Sequence, residues 1–140
     1  LKEENIKATL IDVEKDDIDT FIARSDLIKS AEISDKGIAI VKADDTMTYH
    51  PVTVAQAADQ LLQIEGVQAS FVMAIREDET IGVSARSLGQ VNVQIIMEEM
   101  NGGGHLTNAA TRIEGKTMDE AYNELKEVID TFINNRSDTE

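Results

Sequence analysis

Two short stretches of this sequence combine residue types and spacing suited to anion chemistry: Gly102-Gly103-Gly104-His105 and Ser84-Ala85-Arg86-Ser87. Three glycines in a row free the backbone to enter left-handed conformations. Successive amide N–H groups can then converge on an anion as a nest, and with no Cβ there a ligand can approach the main chain closely. His105 adds a donor whose charge changes near neutral pH. On a strand, Ser84 and Arg86 share one face, because strand side chains alternate with period two. The guanidinium fork then matches a phosphate, and the hydroxyl supplies a further hydrogen bond. Each stretch alone also has a plain structural reading: a turn after a helix for the glycines, with His105 merely exposed, and an exposed edge arginine paired with a carboxylate for Arg86. A helix between them would bring both to one end of a sheet, an arrangement that suits phosphate.

The rest of the chain has to supply that sheet. A helix is predicted from Asp16 to Lys29, with Ile18, Phe21, Ile22 and Ser25 on one face, Ile28 close to it, and Asp16-Asp17 at its acidic start. Short strands follow at Ala31–Ile33 and Gly37–Lys42. Thr53 and Gln56 read as a capping box for a helix carrying Val54, Ala57, Ala58, Leu61 and Leu62, which ends at Gly66. Val67–Arg76 is apolar on both faces and belongs in the middle of a covered sheet. Thr80–Arg86 returns as its hairpin partner. A helix from Gln90 to Met100 stops at Asn101-Gly102, a glycine loop leads to a strand at Ala109–Ile113, and a second capping box, Thr117 and Glu120, opens a closing amphipathic helix. Helices alternating with strands give an α/β fold, a mixed β-sheet with packed helices. Residues 1–50 read as a connector or start of the domain, 51–134 as the main domain, and 135–140 as a disordered tail.

Composition narrows the function. The 140 residues include 27 acidic and 13 basic side chains, for a formal net charge of −14. That charge opposes long nucleic acid or an anionic membrane surface, both of which need a broad positive face. It leaves room for one local pocket that takes a phosphate. There is no cysteine, so thiolate metal sites and cysteine nucleophiles are excluded. The two histidines lack metal-ligand spacing, His50 beside Pro51 reads as structural, and the aromatic content of 4% with no Trp disfavours a base-stacking platform. No apolar run reaches the ~18 residues of a membrane span.

The run Ser84-Ala85-Arg86-Ser87-Leu88-Gly89, then Val91-Asn92-Val93, then Gly102-Gly103-Gly104-His105-Leu106-Thr107-Asn108-Ala109-Ala110-Thr111 closely resembles the DHH-associated C-terminal domain of DHH phosphoesterases, and within that superfamily the GdpP/YybT group of membrane-bound cyclic-di-AMP phosphodiesterases. The resemblance covers about Asp16 to Ile129. It implies the DHH-associated domain fold and a larger metal-dependent hydrolase that cleaves cyclic-di-AMP to linear pApA. The manganese (Mn2+) pair would be held by the Asp-His-His motif of an upstream DHH domain of the same chain. This sequence contains no such motif, so the fragment would be the substrate-binding half, inactive alone and soluble, with the full-length protein at the cytoplasmic face of the membrane. Carried over, the substrate-binding residues are Ser84, Arg86, Gly102, Gly103, Gly104 and His105, with Thr107 and Asn108 as further candidates. Asn101 departs from the family pattern, where a further glycine is expected. Two other readings stay open: a RecJ-like or nano-RNase-like nuclease acting on short oligonucleotides, and a non-catalytic nucleotide-sensing module. Homo-oligomerisation is left open as well.

Overall fold

The computed structural model describes residues 18–138. Asp16 and Asp17, expected to start the first helix, lie outside the described residues, as do residues 139–140 of the expected tail. The elements are helix α1 (Ile18–Lys29), strands β1 (Glu32–Ile33) and β2 (Ile38–Lys42), helix α2 (Pro51–Leu61), strands β3 (Ala69–Ile75) and β4 (Ile81–Ser87), helix α3 (Val93–Glu99), strands β5 (Gly103–His105) and β6 (Asn108–Ile113), and helix α4 (Met118–Asp138). They build one mixed sheet in the order β1-β2-β3-β4-β6-β5. Among these strands of the described residues only the β2–β3 pair is parallel, and α2 makes that crossover. The mixed α/β architecture is therefore the one the residue pattern predicts. Because β1 and β2 join the same sheet as the later strands, residues 18–50 are part of the main domain rather than a connector to it.

β3 explains the layering. Its residues from Ala69 to Ala74 are buried on both faces. On one face Ser70 donates its hydroxyl to the Ala58 carbonyl of α2 at 2.7 Å, which sets α2 over Ser70, Val72 and Ala74. On the other, Met73 pairs with Val83 and Val83 with Thr111, and Thr111 donates to the Met100 carbonyl at the end of α3, at 2.8 Å. So α1 and α2 cover one side of the sheet, and α3 and α4 the other. Phe71, Met73, Ile96, Met97 and Leu125 fill the second layer, each worth roughly 1.5–3 kcal/mol of burial.

Helix starts show where sequence patterns compete. α2 begins at Pro51, two residues before the expected capping box. His50 is its N-cap, with Nδ1 accepting from the Val52 N–H at 3.1 Å. Proline's fixed φ pre-organises the first helical position, so the start moves ahead of Thr53. Gln56 is thereby released to accept from Arg24 Nη1 at 3.0 Å, linking α1 to α2. The expected apolar face of α1 is also corrected. Leu27 is its buried residue, with Ala23 packed against the core beside Ile28, the one expected residue that does pack there, whereas Ile18, Phe21 and Ile22 are exposed. The helix rests on α2 through its C-terminal half.

The Thr117–Glu120 box forms as predicted: the Thr117 N–H donates to Glu120 Oε1 at 2.9 Å and the Glu120 N–H to Thr117 Oγ1 at 3.1 Å. The Thr117 backbone N–H, then the Thr117 side chain and Lys116, hold the Glu120 carboxyl below its usual 4.5. A lowered folded-state pKa adds stability above the unfolded value, lost as pH falls through the folded one. The urea-midpoint gap between the native chain and Glu120→Ala is therefore expected to be widest near neutral pH. It should narrow as the pH drops below about 4.5. A gap that stayed constant down to pH 3 would show that the charged form carries none of the cap.

Candidate functional site

The open part of the sheet lies beyond α2. Burial along β4 alternates, with Ile81, Val83, Ala85 and Ser87 buried and Gly82, Ser84 and Arg86 partly exposed on the α2 side. β6 alternates the same way, with Asn108, Ala110 and Arg112 exposed. Register aligns these into cross-strand rows. Arg86 pairs with Asn108 and Asn108 with His105; Ser84 pairs with Ala110 and Ala110 with Gly103. One row is thus polar and potentially cationic, Arg86–Asn108–His105. The next, Ser84–Ala110–Gly103, is a floor of minimal side chains. With strands about 4.8 Å apart, the polar row is roughly 10 Å wide.

Arg86 is not an edge arginine. β4 lies inside the sheet, and the Arg86 side chain is 13% exposed. Its Nε donates to Asp59 Oδ1 on α2 at 2.8 Å and its Nη1 to the Ala85 carbonyl at 3.0 Å. One carboxylate, rather than a cluster, therefore meets the guanidinium, and the two bonds fix its orientation between α2 and the β4 backbone. Asp59 is the residue that motif reasoning missed. Its signal was present: it is the sole charged residue between Pro51 and Gln63.

The glycine run behaves differently from the nest the sequence suggests. Gly103–His105 is an edge strand paired with β6, and successive amides of a strand point in opposite directions, so they cannot converge on one anion. The entry to the run is set by Asn101, which adopts φ +65° after α3. The Asn101 N–H bonds the Glu98 carbonyl and the Gly102 N–H the Met97 carbonyl, at 3.1 and 2.7 Å, a Schellman closure. Asparagine is the side-chain-bearing residue that best tolerates that left-handed position, so the departure from glycine at 101 preserves the turn. A Cβ on Gly102 would drive into the Ala110 carbonyl and approach Thr111 Cβ at 2.5 Å. On Gly104, at φ +144°, it would meet Ala109 Cα and the Asn108 carbonyl at 2.5 Å, whereas on Gly103 it would meet nothing within 4 Å.

The turn between β5 and β6 is tied down by β4 and α3. The Ser87 N–H donates to the Thr107 carbonyl at 3.0 Å, Ser87 Oγ to the Leu106 carbonyl at 3.3 Å, and the Val93 N–H to the Leu106 carbonyl at 3.1 Å. Asn92 caps α3, its Oδ1 accepting from the Ile95 N–H at 3.3 Å. Thr107 thus sits in the turn, while Asn108 stands in the middle of the polar row. The face brings together Arg86, Ser84, Asn108, His105 and Gly103; Gly102 and Gly104 serve the strand that carries them.

Residues 35–135 match the family described as the DHHA1 domain. The chain belongs to the DHHA1 domain family. The cyclic-di-AMP phosphodiesterase PdeA of Listeria monocytogenes serotype 1/2a (strain 10403S) is 52% identical over 118 residues, which cover 84% of this chain and 18% of PdeA. The cyclic-di-AMP phosphodiesterase GdpP of Geobacillus thermodenitrificans (strain NG80-2) is 48% identical over 118 residues, with the same coverage of 84% and 18%. This DHHA1 domain therefore spans about a fifth of the length of the curated relatives it matches. The crystal structure of an exopolyphosphatase-related protein from Bacteroides fragilis shares the fold, with a TM-score of 0.74 and 18% identity over 85% of this chain and 36% of that one. Among the described residues no group of three or more His, Asp or Glu is placed to hold a metal ion. No helix among them is long and apolar enough to cross a membrane.

Proposed function

We propose that this DHHA1 domain is the substrate-binding half of a phosphodiesterase that hydrolyses cyclic-di-AMP to linear pApA. The observation that carries the reading is the 52% and 48% identity to two cyclic-di-AMP phosphodiesterases across the DHHA1 region. The open face supports it chemically. Arg86 and His105 bracket a row that can hold phosphate oxygens by charge-assisted hydrogen bonds, with Asn108 between them. Ser84, Ala110 and Gly103 leave space for the rest of a small dinucleotide. Metal-dependent water activation belongs, in this reading, to an upstream DHH domain, with manganese its metal. The work of this chain is to bind and orient the substrate, a positioning effect worth several kcal/mol of barrier.

The test joins this chain to a DHH domain and compares hydrolysis of cyclic-di-AMP, pApA and short RNA with Mn²⁺ present. Cyclic-di-AMP is expected to be cleaved with the highest kcat/KM, and His105→Ala to lower that value by at least about tenfold. Faster cleavage of short RNA would favour an oligonucleotide nuclease. Wild-type rates for both His105→Ala and Arg86→Ala would move the site elsewhere.

A further inference from the structure

On the side of the sheet opposite the polar row, α3 and α4 enclose a groove of about 470 Å³. Its apolar floor is Ile95, Val128 and Phe132, and Glu99, Glu124 and Glu127 stand around it. The groove exists because the two helices differ in length. α3 has 7 residues and α4 has 21, so at 1.5 Å per residue α3 covers only about a third of the α4 face turned toward it. Ile95, half-exposed at 47%, lies at the boundary. Of the three carboxylates, Glu124 is met by Lys116 Nζ at 2.7 Å; among the described residues, Glu99 and Glu127 have no ion-pair partner.

We infer that this groove docks a basic amphipathic helix of a partner protein, its apolar side chains on Ile95, Val128 and Phe132 and its lysines or arginines against Glu99 and Glu127. Charge selects this occupant. A second copy of the chain packing by two-fold symmetry would bring the same glutamates toward one another. An anionic lipid surface is repelled for the same reason. The apolar floor flanked by unpaired carboxylates suits the helix-in-groove mode, with anchors at i, i+3, i+4 and i+7 and a cationic flank.

The probe is a synthetic helical peptide of about 15 residues with Leu at i, i+3, i+4 and i+7 and Lys elsewhere, titrated into the 140-residue chain by calorimetry and by backbone-amide NMR. Expected are saturable 1:1 binding, amide shifts confined to α3 and the facing half of α4, and at least about tenfold weakening by Ile95→Ser. Ile95 is exposed, so a thermal melt should show that this variant keeps the fold. The pair Glu99→Gln/Glu127→Gln should weaken binding several-fold, whereas Asp19→Asn/Asp26→Asn, the same charge change on α1 across the sheet, should leave it within about twofold. Equal weakening by the two pairs, or equal binding of a scrambled peptide with no apolar face, would mean diffuse attraction to an acidic protein and would overturn the proposal. Hydrolysis is not a readout here, so this result and the test of the proposed function stand apart.

Discussion

Gly103→Ala is expected to keep the fold and weaken substrate binding, while Gly102→Ala destabilises the fold. The three glycines look equivalent in the sequence, but their surroundings differ. At 102 a methyl group enters the space of the Ala110 carbonyl and Thr111, where backbone on both sides prevents relief. Overpacking of that kind costs about 1–3 kcal/mol or more, a loss of several degrees in Tm for a domain of this size. Gly104 combines a similar collision with a φ of +144°, a conformation a side chain resists. At 103 a methyl group meets nothing and points onto the open floor beside Ala110. A strand tolerates alanine there at least as well as glycine, so the Tm of Gly103→Ala should stay within about 2 °C of the native value. If a dinucleotide lies on that floor, the methyl stands in its place, and KM for cyclic-di-AMP in the DHH-joined protein should rise at least about tenfold. Thermal melts of the three variants and KM for Gly103→Ala make the comparison. An unchanged KM with an intact fold would put the substrate somewhere other than this face.

The contrast also shows what was legible beforehand. Period-two alternation placed Gly82, Ser84 and Arg86 on one face of β4, and burial follows that alternation. The Thr117–Glu120 box was readable because its two hydrogen bonds are local. The expected nest failed for a non-local reason: β6 returns beside the glycines and takes them into a sheet, and no local pattern in a Gly-Gly-Gly-His run reveals its pairing partner. The exposed face of α1 failed likewise, because only its packing on α2 decides that Leu27 rather than Phe21 is buried. Asp59 lies 27 residues from Arg86; a lone carboxylate in an uncharged helix hinted at a role, but only the fold supplies the partner.

That partner makes Arg86 the position where substitution should cost most. Arg86 does two things at once in the proposed site: its Nε holds Asp59, and its strand position puts it in the row shared with Asn108 and His105. Arg86→Ala removes both and should lower kcat/KM for cyclic-di-AMP by about 10²–10³-fold, the scale for losing a charged phosphate contact. Asp59 is 60% exposed, so water takes over its lost bond and the fold should survive. Arg86→Lys should recover little, since one ammonium cannot span Asp59 and a phosphate as a fork does. Asp59 separates orientation from charge. Asp59→Asn keeps an acceptor for Nε–H and removes a negative charge near the substrate, so KM should stay at the native value or fall. Asp59→Ala removes the acceptor as well, frees the fork, and should raise KM several-fold even though the site has become more positive. A KM that fell equally in both Asp59 variants would reduce its role to simple repulsion, and native kinetics in Arg86→Ala would leave the Arg86–Asp59 pair as a link between α2 and the sheet and nothing more.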